Sequence, residues 1–159
     1  APCDIVYLDP SFDIAILLPK RDKQDDRKLQ SLSFASKLFD DGHSLVEGRS
    51  VLIPGYPLAL GIENDENHPV IRFGFVAQFT GKDYFLLDGV ASHGNSGSPV
   101  FSLKQDDNRL IGMVTSFQNE RINLFDDNQQ LTASLPYNSG LARCVTMKAI
   151  LEAIKNAKY

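Results

Sequence analysis

The chain has 159 residues, with 16 Lys+Arg against 20 Asp+Glu, a formal charge of −4, 43% hydrophobic residues and 23% charged ones. That is the composition of a soluble globular chain, long enough for one ordinary domain and too short for a complete multidomain enzyme. Bases interspersed among a small excess of acids argue against nucleic acid or an anionic membrane surface as a partner, because both reward clustered Lys and Arg.

The first strand signals are Ile5 to Leu8 and Ile14 to Leu18, separated by the turn residues Asp9-Pro10-Ser11. Ile14 to Leu18 is also the longest unbroken apolar run, far short of the roughly 20 residues that a membrane-spanning helix needs. Ala1-Pro2-Cys3-Asp4 lacks the basic start and apolar stretch of a signal peptide, but a processed chain would have lost both, so the compartment stays open. Pro19 should end the second strand. From Lys20 to Lys28 nearly every residue is charged, and residues 20–48 read as a solvated connection with one helical turn around Phe34 to Phe39.

Strand signals resume at Arg49 to Pro54, Val70 to Thr80, Tyr84 to Asp88, Pro99 to Leu103 and Leu110 to Phe117. Gly81-Lys82-Asp83 and Asp106-Asp107-Asn108 mark turns between them, at a spacing typical of sandwiches or barrels. The period then changes: Met147, Ile150, Leu151 and Ile154 fall on one helical face, with Thr146 placed to cap the helix. The expected organisation is residues 1–19 as the last strands of an incomplete N-terminal barrel, 20–48 as the connection, 49–145 as a C-terminal barrel and 146–159 as a helix.

One stretch carries chemistry. In Gly94-Asn95-Ser96-Gly97-Ser98-Pro99 two glycines flank a serine directly before an apolar strand, so the backbone can turn sharply and present a hydroxyl beside main-chain N–H groups. Acyl transfer needs that pairing of nucleophile and oxyanion donors; the alternative is an ordinary Gly/Ser/Asn turn. In Phe12-Asp13-Ile14-Ala15-Ile16-Leu17 a single acid leads into an apolar strand, as a strand-end cap or as the group that orients a catalytic imidazole.

On these residues, with Gly55-Tyr56-Pro57, Ile111-Gly112 and the closing helix, the sequence resembles the trypsin-like (chymotrypsin-fold) serine peptidases. Within them it is most similar to the bacterial branch of the HtrA proteases and the V8-type glutamyl endopeptidases. The resemblance implies an all-β fold, a trypsin-like β-barrel with a C-terminal α-helix and an incomplete first barrel. It further implies Ser96 as nucleophile, Asp13 as triad acid, and an oxyanion hole from the Gly94 and Ser96 amides. Asn95 stands where the digestive enzymes have an aspartate that captures a new N-terminus; an amide cannot form that ion pair, so no activation by this route is expected.

The general-base histidine is missing from its place. In this family it precedes the aspartate, whereas His43, His68 and His93 all follow Asp13. An Asp–His–Ser order belongs to subtilisin-type α/β folds, and His93 is too close to Ser96 in the chain to fold back onto it. The expectation is therefore a C-terminal part of a larger peptidase, inactive alone because a serine without its base is a weak nucleophile.

By the same resemblance, Val90 and Val114 line the primary specificity pocket, with His93, Thr115, Ser116 and Phe117 at its rim. Valine at both positions disfavours cleavage after Lys, Arg or Glu and points to small or medium apolar side chains. The partner is then a peptide or protein substrate; the alternative function is a non-catalytic peptidase-like binding module. No cofactor and no metal are expected: the acid pairs Asp25-Asp26 and Asp126-Asp127 read as solvated, and Cys3 and Cys144 have no ligand-type spacing. Two free thiols are expected, a bridge between the two cysteines being the alternative.

Overall fold

The computed structural model describes residues 3–20, 39, 45–60, 68–89, 91–104 and 108–157. Residues 20–48, read as a connection with a helical turn, fall almost wholly outside the described residues, as do Asp106-Asp107 of one expected turn. The elements are β1 (Cys3–Asp9), β2 (Ile14–Pro19), β3 (Ser50–Gly55), β4 (Val70–Phe79), β5 (Tyr84–Asp88), β6 (Pro99–Ser102), β7 (Leu110–Phe125), β8 (Leu131–Thr146) and α1 (Met147–Asn156). A tight turn over Pro57–Ala59 follows β3. The fold is mostly β, in two sheets, with one short C-terminal helix.

β1 and β2 form an antiparallel two-stranded sheet, while β3 to β8 close a barrel in the order β3-β4-β5-β8-β7-β6. Period-two alternation builds the barrel. Val51 and Ile53 of β3, Val76 of β4, Phe85 and Leu87 of β5, Val100 of β6, Ile111 and Val114 of β7, and Ala142 and Cys144 of β8 all point inward as one core. Full burial of each larger side chain there contributes about 1.5–3 kcal/mol before the cost of ordering the chain.

A second cluster joins the three parts of the molecule. Ile14 of β2 packs with Val145 of β8 and with Ala149 and Ala153 of α1, flanked by Tyr7, Phe12, Ile16, Tyr84, Met113 and Ile150. Thr146 caps α1, its hydroxyl oxygen accepting from the Ala149 N–H at 3.3 Å. The helix buries Met147, Ala149 and Ala153, leaving Ile150, Leu151 and Ile154 only half-buried. The contact face is thus rotated from the bulky stripe toward the alanines, because small side chains let the helix axis approach the sheet closely. Among the described residues no helix is long and apolar enough to cross a membrane.

The largest departure from the sequence reading is the β7–β8 pair. β7 runs on to Phe125 rather than ending at Phe117, and the whole of β8 has no counterpart among the expected strands. The two pair from Gly112↔Thr146 to Phe125↔Leu131, and beyond Asn119 and Asn138 they pair only with each other, as a ribbon leaving the barrel. Its tip is an ordered turn in which Asp126 Oδ1 accepts from the Asn128 and Gln130 N–H groups at 2.9 and 2.8 Å. The described cysteines are unbridged: Cys3 is exposed and Cys144 lies in the barrel core.

Candidate active site

The Ser96 loop enters from β5 through Gly89 and leaves into β6 at Pro99. Main-chain bonds hold it on both sides. The Asn95 N–H donates to Ser92 O at 3.0 Å, the Gly97 N–H to Val114 O at 2.8 Å, the Ser98 N–H to Asn95 O at 2.9 Å, and the Val114 N–H to Ser98 O at 3.0 Å. Asn95 is buried, and its Oδ1 accepts from the Ser92 N–H at 3.1 Å, so the side chain braces its own loop.

Donors along the loop alternate. The N–H groups of Asn95, Gly97 and Ser98 are engaged, while among the described residues those of Gly94 and Ser96 donate to no protein acceptor. Gly94 has φ 90°, a conformation L side chains rarely adopt, and a Cβ there would run into the carbonyl oxygen of Tyr56. Gly55 is required from the other side: a Cβ on it would collide with Ser98 Oγ and come to 2.9 Å from Asn95 Nδ2. These two close approaches account for the glycine of Gly55-Tyr56-Pro57, because the end of β3 is the surface on which the serine loop lies.

Ser96 is exposed, and its Oγ donates to Thr115 O at 3.1 Å. Among the described residues no histidine is bonded to it. His93 is held by main chain and by ring: its carbonyl accepts from the Leu58 N–H at 2.7 Å, and its imidazole meets Phe117 edge-on with centroids 5.3 Å apart. His68 lies just before β4, whose Val70 pairs with Gly55, but donates to and accepts from nothing on Ser96. His43 lies outside the described residues.

Asp13 sits in the turn between β1 and β2, exposed, with a left-handed φ of 55°. It is not bonded to Ser96; a chain of contacts leads from one to the other. The Tyr84 hydroxyl donates to Ser11 O, and the Phe12 ring packs at 5.7 Å on the Tyr84 ring. The Arg143 guanidinium stands 3.8 Å over the other part of that stack, on the Tyr84 ring. Thr115 Oγ1 then donates to Arg143 O at 3.1 Å, and Thr115 O receives Ser96 Oγ at 3.1 Å.

Of the expected pocket residues, Thr115, Ser116 and Phe117 follow one another on β7, Thr115 bonded to Ser96 and Phe117 packed on the ring of His93 from the serine loop. Val114 is in the barrel core at 1% exposure, and Val90 lies outside the described residues. Sequence reasoning missed Tyr84, Arg143 and Asn138. The Asn138 amide donates to Ala91 O, and its Oδ1 accepts from the Gly140 N–H at 2.9 Å, tying the root of the ribbon to the segment entering the serine loop. Asn138-Ser139-Gly140 is a turn signal visible in the sequence, but its use depends on β8, which was not.

A family model described as a trypsin-like peptidase domain matches residues 1–113, a span that includes both Asp13 and Ser96. The chain belongs to that family. No curated protein matches the chain. Membership in the trypsin-like family fits the mostly β, barrel-and-helix architecture and indicates peptidase-type function in general.

Behind the loop, burial pushes the Cys144 thiol up to about 12. A thiol so raised is protonated at neutral pH and is a poor nucleophile.

Proposed function

We propose that this chain carries the nucleophile half of a serine endopeptidase, hydrolysing peptide bonds through an acyl-enzyme on Ser96. The Gly94 and Ser96 N–H groups would hold the developing oxyanion, and Asp13 would orient the imidazole of a general base. The observation that carries the reading is the pair of exposed amides without a protein acceptor on either side of an engaged one, which leaves both available to a bound oxyanion. In this reading the base is a histidine outside these 159 residues, because the family order places it before Asp13, and His43, His68 and His93 all follow that residue.

The chemistry begins with rotation of Ser96 about χ1. Its proton is donated to the Thr115 carbonyl, an acceptor that cannot carry it away, so the hydroxyl must turn to an imidazole before attack on a substrate carbonyl. With the base in place, attack places the negative charge between the two open amides, and the imidazolium returns the proton to the leaving amine. Without it, residual rate from the amides alone remains. The likeness to the HtrA and V8-type branch belongs to this proposal, resting on Gly55-Tyr56-Pro57 and Gly94 to Phe101. Preference for small or medium apolar residues belongs to it too, resting on the sequence alone, which has neither an acid at position 90 nor a histidine at position 114; Val114 itself is buried in the barrel core. Chief cleavage after Arg or Glu in a peptide library would sink that preference.

The test is a fluorophosphonate probe applied to the full-length protein and to this chain alone. The full-length protein should label rapidly, this chain at least ~10³-fold more slowly, and Ser96→Ala should abolish labelling of both. Full-length protein that labels no faster than its Ser96→Ala variant would instead favour a peptidase-like binding module. The hydroxyl's bond to a main-chain carbonyl is the observation on that side.

A further inference from the structure

The β7–β8 ribbon is two-faced. Paired residues share a face, so Glu120↔Tyr137, Ile122↔Leu135 and Leu124↔Ala133 form one side, and Asn119↔Asn138, Arg121↔Pro136 and Asn123↔Ser134 the other. The first side is apolar and lies open to water: Ile122 is 46% exposed, Leu124 44%, Leu135 53% and Tyr137 41%; past the register shift after Leu124, Phe125 and Leu131 pair at the tip, 60% and 58% exposed. The second side is polar, and Arg121 Nε donates across it to Ser134 Oγ at 3.0 Å.

The ribbon is well ordered for an element without a core behind it. The Asp126 turn fixes the tip, the Thr132 hydroxyl donates to Leu124 O at 3.0 Å, and the Tyr137 hydroxyl donates to Glu120. A two-stranded ribbon with an open apolar face is marginal in water and marks a surface made to be covered. The peptide substrate is a poor candidate for the cover. Asn138, on the polar side, reaches Ala91 O at the entrance of the serine loop, so the polar side faces the site and the apolar side turns away from it.

We propose that the apolar side docks against the same side of a second copy of this chain, ribbon on ribbon, with the two tips pointing in opposite directions. The exposed face amounts to roughly 500 Å² per copy, so two copies bury roughly 1,000 Å², the lower bound for a specific association. The face suits self-pairing in charge: Glu120 is its one ionisable acid, and that carboxylate already accepts the Tyr137 hydroxyl. Charge also selects the direction. Side-by-side tips would crowd Asp126 and Asp127 of both copies together, whereas tip-to-root packing separates them and carries each pair toward Arg143 at the other root. A two-fold contact of this kind closes on itself, giving a dimer rather than a filament.

Sedimentation of the full chain from about 1 to about 100 µM should show a monomer–dimer equilibrium with a midpoint in the micromolar range. Ile122→Thr with Leu135→Thr should weaken the dimer at least ~30-fold while the near-ultraviolet circular dichroism of the barrel stays the same. Asp127→Lys should weaken it several-fold; tighter association would overturn the tip-to-root direction. A second exposed apolar stripe, Ile71, Phe73 and Phe75 on β4, supplies the control. If Phe73→Thr abolishes association and the ribbon pair does not, the proposal fails. It fails equally if the chain stays monomeric throughout, or if mass keeps growing past two copies.

Discussion

The barrel and the β1–β2 sheet each contribute one half of the candidate site, and they hold it in different ways. Around Ser96 the backbone is bonded on both sides, to β7 and within the loop, and glycines at 55 and 94 leave no room to spare. Around Asp13, among the described residues, no backbone-to-backbone bond reaches the barrel; the turn is attached by Ile14, Phe12 and Ile16 and by the Tyr84 hydroxyl. Ile5, Leu8, Leu17 and Leu18 of that sheet stand exposed. The geometry of Ser96 is therefore built into a closed structure, while that of Asp13 depends on side-chain packing across a seam.

The largest effect should come from Gly94→Ala, which combines a left-handed backbone with a collision against Tyr56 O. About 3 kcal/mol of stability and any probe labelling of Ser96 should go together, as read by urea denaturation and by labelling. Ile14→Ala tests the seam: about 2–3 kcal/mol should be lost from the β1–β2 sheet, seen as faster amide exchange in β1 and β2 with the barrel amides protected as before. Equal acceleration in both would show that the two regions unfold as one. Asn95→Ala should cost about 1–3 kcal/mol in the same denaturation experiment, because the Ser92 N–H loses its acceptor. Tyr84→Phe, which removes only the bond to Ser11 O, should cost about 1 kcal/mol and loosen the Asp13 turn selectively.

The cysteines mark the two regions chemically. Iodoacetamide at pH 8 should modify Cys3 on β1 and leave Cys144 untouched, one adduct by mass spectrometry. The folded Cys144 thiol ionises at about 12 and the unfolded one near 9.0, so its contribution to stability is complete below pH 9 and falls as the pH rises toward 12. Two adducts at pH 8 on folded protein would contradict that burial.

How much of this was legible in the sequence follows the same division between local and distant. β5 is read at its observed bounds, because alternate residues of Tyr84 to Asp88 face a core and the pattern records it. β8 is not, since Pro136, Gly140 and a run of small polar residues weaken strand propensity. The serine loop was legible for a related reason: its shape is set by glycines, Asn95 and Pro99 within a few positions of one another. What joins it to Asp13 was not, because Tyr84, Arg143 and Thr115 meet only after β5, β8 and β7 are neighbours.

The ribbon and Thr115 belong to one continuous strand, and this sets which insertions and deletions the gene can tolerate. A residue added at the tip, between Asp126 and Gln130, changes a turn. A residue added between Phe117 and Ile122, unless taken up as a bulge, would move Ile122 and Leu124 to the polar side while Leu135 and Tyr137 stayed on the other, splitting the apolar face. Lengths should drift freely at the far end of the hairpin and stay fixed at its root, and a register count along β7 is enough to see which relatives keep the arrangement.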